Sequence, residues 1–241
     1  MTLHQFNKLA RRQIFFCVAA ALMCRCGMAD DKPVTIVLAG DSTVTDTAGW
    51  GKGFSDLLNE KAKCVNLSAG GRSSKSFRAE GRWQKCLDLK PDYILIQFGH
   101  NDQPGKGEAR ETDPATTYPE FLKQYVIESR EIGATPILIT SLTRRRFNEQ
   151  GKITSTLTPY VAAVKKVGKE LNVPVVDLHT RSIELCEKLG PEKCIEISYE
   201  QPKGGLDRTH LNTKGAQLTA PLIVDELDKV APEMSKYFES K

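Results

Sequence analysis

VLAGDSTVT, residues 37–45, closes an apolar run on a glycine, an acid and a hydroxyl. Extended back to Val34, the run reads VTIVLAG (34–40), apolar with scarcely a break. Strands covered on both faces read this way, whereas half-exposed strands alternate. YILIQFG (93–99), PILITS (136–141) and VPVVDLH (173–179) repeat the pattern, and CVNLSAG (64–70) is a more mixed example. Between these five predicted strands lie segments of helical character at 51–61, 74–89, 118–132, 156–171 and 213–229. In YPEFLKQYVIESREIG (118–133), Phe121, Leu122, Tyr125 and Ile132 recur at helical spacing, and Gly133 ends the helix. Asn212 or Thr213 supplies a cap for the last one. Strand alternating with helix, joined by right-handed crossovers, gives a parallel sheet covered on both sides. The expected fold is α/β: a single-domain three-layer α/β/α sandwich around a parallel five-stranded sheet.

The first 29 residues do not belong to that pattern. Lys8, Arg11 and Arg12 precede the apolar stretch IFFCVAAALMC (14–24), too short to span a bilayer, and GMA (27–29) ends in a small residue suited to cleavage. This predicts a signal peptide over 1–29, one domain over 30–241, and a periplasmic or extracellular location. Arg11-Arg12 leaves a twin-arginine route open. Neither Cys24 nor Cys26 follows a small residue, which argues against a lipoprotein. Of 34 Lys and Arg, Lys8, Arg11, Arg12 and Arg25 lie in the leader, which has no acid, so the formal net charge of +4 belongs to it. The rest of the chain is balanced against its 30 acidic residues, which disfavours a nucleic-acid partner. The mature form is expected to be monomeric and to have no membrane partner. Of seven cysteines, Cys64, Cys86, Cys186 and Cys194 remain after cleavage. An even number in an exported chain points to disulfides. Cys186 and Cys194, flanking a short Gly-Pro segment, are the better pair; Cys64 and Cys86 are either a second pair or buried thiols.

In an open parallel sheet the site lies beyond the carboxyl ends of the strands. Asp41 and Ser42 follow the first strand, Gly70, Gly71 and Arg72 the second, and GHND (99–102) the third. Thr143 and the arginines 144–146 follow the fourth, and DRTH (207–210) precedes the last helix. These are the parts acyl transfer needs. A serine hydroxyl attacks only when a base takes its proton, and that base is usually a histidine oriented by a carboxylate. Ser42 fits the nucleophile, His210 the base and Asp207 its orienting acid. The oxyanion needs fixed N–H donors, and the Ser42 and Gly71 backbone groups and the Asn101 amide can supply them. Each segment alone is also an ordinary turn or cap; their order along one sheet edge is what carries chemistry. Asp41, beside the nucleophile, would oppose an oxyanion, so its carboxylate is expected to turn away and bind the loop's own donors.

Taken together, GDST (40–43), AGGRSSKSF (69–77), FGHND (98–102) and DRTH (207–210) resemble the SGNH, or GDSL-like, hydrolase superfamily. With GWGKGF (49–54), GRSSKSFRAEGRW (71–83) and DRTHLNTKGA (207–216), the chain is most similar to the rhamnogalacturonan acetylesterases within it. The resemblance runs from about residue 34 to the C-terminus. It implies a flavodoxin-like fold, serine-dependent removal of acetyl groups from an acidic pectic polysaccharide, and no metal or cofactor. It places Ser42, Asp207 and His210 in the triad and Ser42, Gly71 and Asn101 in the oxyanion hole, with Gly71 preferred over Gly70 as the glycine directly before Arg72.

If 74–89 is one helix, Lys75, Arg78 and Arg82 share a face close after Arg72, and Arg144 lies at the same sheet edge. Arg72, Arg78, Arg82 and Arg144 would suit a polyanionic substrate, or else form surface ion pairs with Glu80 and Asp88. Trp50 is placed either to stack on a sugar or to pack in the interior. Three rival readings remain. A metallophosphoesterase would use Gly40-Asp41, the GHND cluster, Asp207 and His210 as ligands, but has few imidazoles to draw on, and activity that survives EDTA would remove it. A non-catalytic carbohydrate-binding protein would rarely keep all five of Ser42, Gly71, Asn101, Asp207 and His210. An esterase of the same mechanism for xylan, another glycan or a lipid differs only in substrate, and the loops contain no long apolar lid of the kind expected for a lipase.

Overall fold

The apolar runs of the sequence become the strands of one parallel sheet. In the computed structural model, which describes residues 32–201 and 204–239, β1 (Val34–Gly40), β2 (Ala62–Asn66), β3 (Tyr93–Gln97), β4 (Thr135–Ile139) and β5 (Val175–Val176) pair in the order β2-β1-β3-β4-β5. The leader expected over 1–29 lies outside the described residues. All four pairings are parallel, with Ile36 opposite Cys64 on one side and Tyr93 on the other. This is the doubly wound order of flavodoxin-like sheets.

Period-two geometry splits each strand between two cores. Ile36, Leu38, Leu95, Ile137 and Ile139 join one buried cluster, with Phe54 of α1 (Gly51–Ser55) and Ala220, Ile223 and Leu227 of a C-terminal helix, Thr213–Val230. Val37, Ala39, Ile94, Ile96 and Leu138 join the other. There they meet α2 (Ser74–Ala79), α3 (Arg82–Asp88), α4 (Thr117–Glu131) and α5 (Thr158–Leu171). The three expected layers are therefore present. They also settle one cysteine question: Cys64 packs on the first cluster and Cys86 lies in the second, so the sheet separates them. Burial pushes both thiols up to about 12.

Three segments depart from the sequence pattern. The expected helix over 74–89 breaks at Gly81, whose φ of 70° lies outside the helical region and caps α3 instead. Lys75, Arg78 and Arg82 consequently do not share a helix face. The predicted fifth strand, 173–179, is paired only over Val175–Val176, and α6 (Leu178–Glu196) follows at once. That helix is kinked at Gly190 (φ 78°), with Pro191 starting its second half, so the Gly-Pro pair marks a bend rather than a loop. Cys186 and Cys194, expected as a disulfide, are buried free thiols on the two halves, with Cys194 Sγ 3.6 Å from the Cys186 carbonyl oxygen. An antiparallel hairpin of β6 (Ser198–Glu200) and β7 (Leu206–Leu211) then leads into α7, the helix Thr213–Val230. Asn212 caps α7 by accepting from the Gly215 N–H at 2.9 Å.

Trp50 is an interior residue and not a sugar platform. Its side chain has no solvent exposure, stands edge-on to Phe54, and donates Nε1–H to Gln97 Oε1 at 2.9 Å. The glycines around it serve the same packing: a Cβ on Gly53 would come 2.5 Å from the Ala216 carbonyl oxygen of α7. Trp50→Ala should lower the unfolding free energy in urea by about 3–5 kcal/mol, and a loss below about 1 kcal/mol would contradict a core role.

Candidate active site

The crossover from β1 to β2 runs through α1 on one face of the sheet, and that from β2 to β3 runs through α2 and α3 on the other. The chain therefore parts between β1 and β3, leaving a crevice at their carboxyl ends. Ser42 follows β1, half-buried, and Gly99 to Asp102 follow β3. β7 and its turn into α7 bring the final piece to the same edge, where the Leu211 N–H bonds the Ala48 carbonyl at 3.0 Å.

Three sequence-predicted residues meet here in a line. His210 Nε2 is 2.7 Å from Ser42 Oγ, across 168 positions of chain, and His210 Nδ1 is 2.8 Å from Asp207 Oδ2. Asp207 is 7 % exposed, and its other oxygen accepts the N–H groups of Thr209 (2.7 Å) and His210 (2.8 Å). Burial alone would push this carboxyl up. The bonds from the His210 N–H and ring and from Thr209 outweigh it and hold the carboxyl down at about 2. A serine, an imidazole and an ionised carboxylate in this order can pass a proton from the hydroxyl to the ring.

Asp41 turns away from Ser42, as its placement required. It has no solvent exposure, and its Oδ1 accepts the Thr43 N–H at 2.8 Å and the Thr43 hydroxyl at 2.7 Å. Thr43 Oγ1 accepts in turn from Gln97 Nε2 at 2.7 Å, which ties the Ser42 turn to Trp50. His100 Nδ1 lies 3.4 Å from Asp41 Oδ2. Burial holds the His100 ring below its usual range, against the pull of Asp41. Asp102 works on the opposite wall: Oδ1 accepts from Ser74 Oγ (2.5 Å) and Thr112 Oγ1 (3.0 Å), and Oδ2 accepts the Gly99 N–H (3.0 Å). Burial raises its carboxyl to about 7 in spite of these donors.

The backbone beside Ser42 leaves donors open. The Ala69 N–H bonds Gly40 and the Arg72 N–H bonds Ala69, whereas those of Ser42, Gly70 and Gly71 have no acceptor among the described residues. A Cβ on Gly70 would lie 3.8 Å from Ser42 Cβ, so this loop runs directly alongside Ser42. Asn101 is nearly buried and spends one amide hydrogen on the Arg72 carbonyl at 3.0 Å, leaving the second. Among the described residues, no three His, Cys, Asp or Glu side chains are grouped to hold a metal.

The arginines divide. Arg78 forms a two-pronged pair with Glu128, which also takes the Trp83 Nε1–H, so it is a structural link to α4. Arg82 and Arg72 both bond Glu80, and Arg72 also donates to the Gly70 carbonyl at 2.7 Å. Arg144 has no acidic partner within ion-pair distance among the described residues; it donates to Gln103 Oε1 at 2.6 Å and to the His100 carbonyl at 3.4 Å. Two residues at the site, Gln97 and Arg110, escaped sequence reasoning, as did the particular role of Arg145 within the arginine run 144–146. Gln97, a polar residue inside an apolar strand, had a signal, since a buried amide demands partners. Arg110, 3.5 Å from the Gly71 carbonyl, and Arg145, buried beneath DRTH, had none beyond their charge.

Residues 38–218 match the model of the GDSL-like lipase/acylhydrolase family. A rhamnogalacturonan acetylesterase of Bacillus subtilis is 38% identical over 87% of this chain and 96% of its own length. One of Emericella nidulans is 31% identical over 77% of this chain and 81% of its own. The acetylxylan esterase Axe2 of Geobacillus stearothermophilus shares the fold at a TM-score of 0.62, with 21% identity over 80% of this chain and 94% of that one. With the fold, the sheet-edge crevice and the ordered motifs agreeing, the chain belongs to the GDSL-like lipase/acylhydrolase family and is a carboxylic ester hydrolase.

Proposed function

We propose that this chain is a serine acetylesterase that deacetylates an acidic pectic polysaccharide, rhamnogalacturonan. The observation that carries the reading is the hydrogen-bonded line Ser42–His210–Asp207 at the β1/β3 crevice. His210 Nε2 takes the Ser42 proton as Oγ attacks the acetyl carbonyl, and Asp207 steadies the imidazolium through Nδ1–H. The Ser42 and Gly71 N–H groups and the free Asn101 amide hydrogen receive the oxyanion. Collapse of the tetrahedral adduct breaks the ester C–O bond, and the imidazolium returns its proton to the departing sugar hydroxyl. Water, deprotonated by His210, then attacks the acetyl-enzyme; acetate leaves and Ser42 regains its proton. Two observations favour the acidic glycan: the relatives more than 30% identical to this chain that are described above are rhamnogalacturonan acetylesterases, and Arg144 and Arg72 stand at the crevice, Arg144 without an acidic partner among the described residues. Arg78, committed to Glu128, drops out of the binding set, and Arg82, bonded to Glu80, adds little.

Acetate release from acetylated rhamnogalacturonan, acetylated xylan and an aryl acetate, measured in parallel, tests this reading; preference for xylan would overturn the substrate. Ser42→Ala and His210→Ala should each lower kcat by about six orders of magnitude, with Asp207→Asn less damaging, at about four, because it removes only the orienting partner. Retention of more than a few percent of activity by folded Ser42→Ala would sink the nucleophile. Arg144→Gln should raise KM about tenfold for the acidic polymer and leave it unchanged for the aryl acetate, reflecting one charge-assisted contact.

Acidification supplies an independent check on Asp207. Its carboxyl sits at about 2 when folded, against about 3.9 for an unfolded aspartate. A depressed carboxyl contributes stability that is complete above the unfolded value and is lost as pH falls through the folded one. The gap in urea midpoint between the protein and Asp207→Asn should be constant near neutrality and close between about pH 4 and pH 2. A gap that stays flat through that window would mean the carboxylate is not held this way.

A further inference from the structure

Buried arginines ordinarily face a carboxylate. Arg145 does not. Its side chain is 4 % exposed, and its fork is taken up almost wholly by main-chain oxygens of the segment that carries the acid and the base. Nη2 donates to the carbonyls of Asp207 (2.8 Å) and His210 (2.5 Å), Nη1 to that of Thr209 (3.4 Å), and Nε to Ser198 Oγ (3.2 Å). Its own N–H bonds the Arg208 carbonyl at 2.7 Å, so four consecutive residues are gripped by one. Ser198 is fixed in turn by the Cys194 carbonyl at 2.7 Å, which anchors the arrangement to α6.

The segment is thus held through two sets of groups. Asp207 Oδ1 collects the N–H groups of Thr209 and His210, while Arg145 collects the carbonyls of 207, 209 and 210. The planar fork suits this task, because it spreads rigid donors over several acceptors where an ammonium offers one point charge. Burial holds the guanidinium's pKa below the usual range, against the opposing pull of Cys186, Cys194 and Asp207.

We propose that Arg145 is a positioning residue for catalysis: by clamping the 207–210 carbonyls it fixes His210 between Ser42 Oγ and Asp207. The inference rests on the triad reading given above. A displacement of about 1 Å in a reacting group costs about a hundredfold in rate, so loss of the clamp should appear in kcat and not in substrate binding.

The test uses Arg145→Met and Arg145→Lys in the full chain, with folding followed by near-ultraviolet circular dichroism and urea midpoint. For an aryl acetate, Arg145→Met should lower kcat about a hundredfold with KM within about threefold. Arg145→Lys, which keeps the charge but loses the fork, should lower kcat at least tenfold. In proton NMR, the downfield resonance of the His210 Nδ1–H bonded to Asp207 should broaden or vanish in both, a change that simple loss of stability in a folded variant would not cause. A folded Arg145→Met with kcat within about threefold of the parent and an unchanged resonance overturns the proposal. Should Arg145→Met fail to fold, Arg145→Lys decides on the same two readouts. Ser42→Ala and His210→Ala run alongside: if they stay active, the triad reading fails, whereas inert triad variants beside fully active Arg145 variants sink the positioning role alone.

Discussion

A carboxylate taken out of water must find donors, and three such aspartates organise this molecule's working edge. Asp41 binds the turn that presents Ser42. Asp102 ties the end of β3 to the start of α2 and to Thr112 in the long loop that follows. Asp207 folds the DRTH segment around itself and aims His210 at the serine. Asp41 and Asp102 lie beyond the ends of β1 and β3, and Asp207 at the start of β7. The same requirement that makes each acid costly to bury therefore closes three turns, and the three turns bound one crevice.

The positive side groups follow the same accounting of partners. Arg78 spends its charge on Glu128, Arg72 and Arg82 share Glu80, and Arg145 spends its fork on carbonyls. Only by listing what each guanidinium already holds can a substrate contact be separated from a structural one. Charge at a sheet edge says little until this is known.

The sheet was legible because burial on both faces leaves an uninterrupted apolar run, a signal that needs no tertiary knowledge. That Ser42, Asp207 and His210 meet at one edge was legible because their residue types, their order and their places at element ends agreed. What stayed hidden depends on contacts distant in sequence. Trp50 reads identically whether it faces a sugar or Phe54, and nothing local predicts its bond to Gln97. Gly190-Pro191 has turn composition, yet the helix resumes after it because Cys186, Cys194 and Ile197 pack together across the bend. Gly81 split an expected helix and moved Arg82 away from Arg78. Arg145 is one of three adjacent arginines, and only the placement of β7 shows which of them is enclosed.

The position of His210 so late in the chain has a consequence for how hydrolytic power arises. The turn that holds Ser42 lies in the first third of the chain, whereas His210 comes on β7, which leads into α7, and α7 packs against α1. A chain that has emerged only as far as α6 has Ser42 but not His210. Under the proposed mechanism, ester cleavage switches on only when the last helix docks, so a partly made or partly opened chain is chemically quiet.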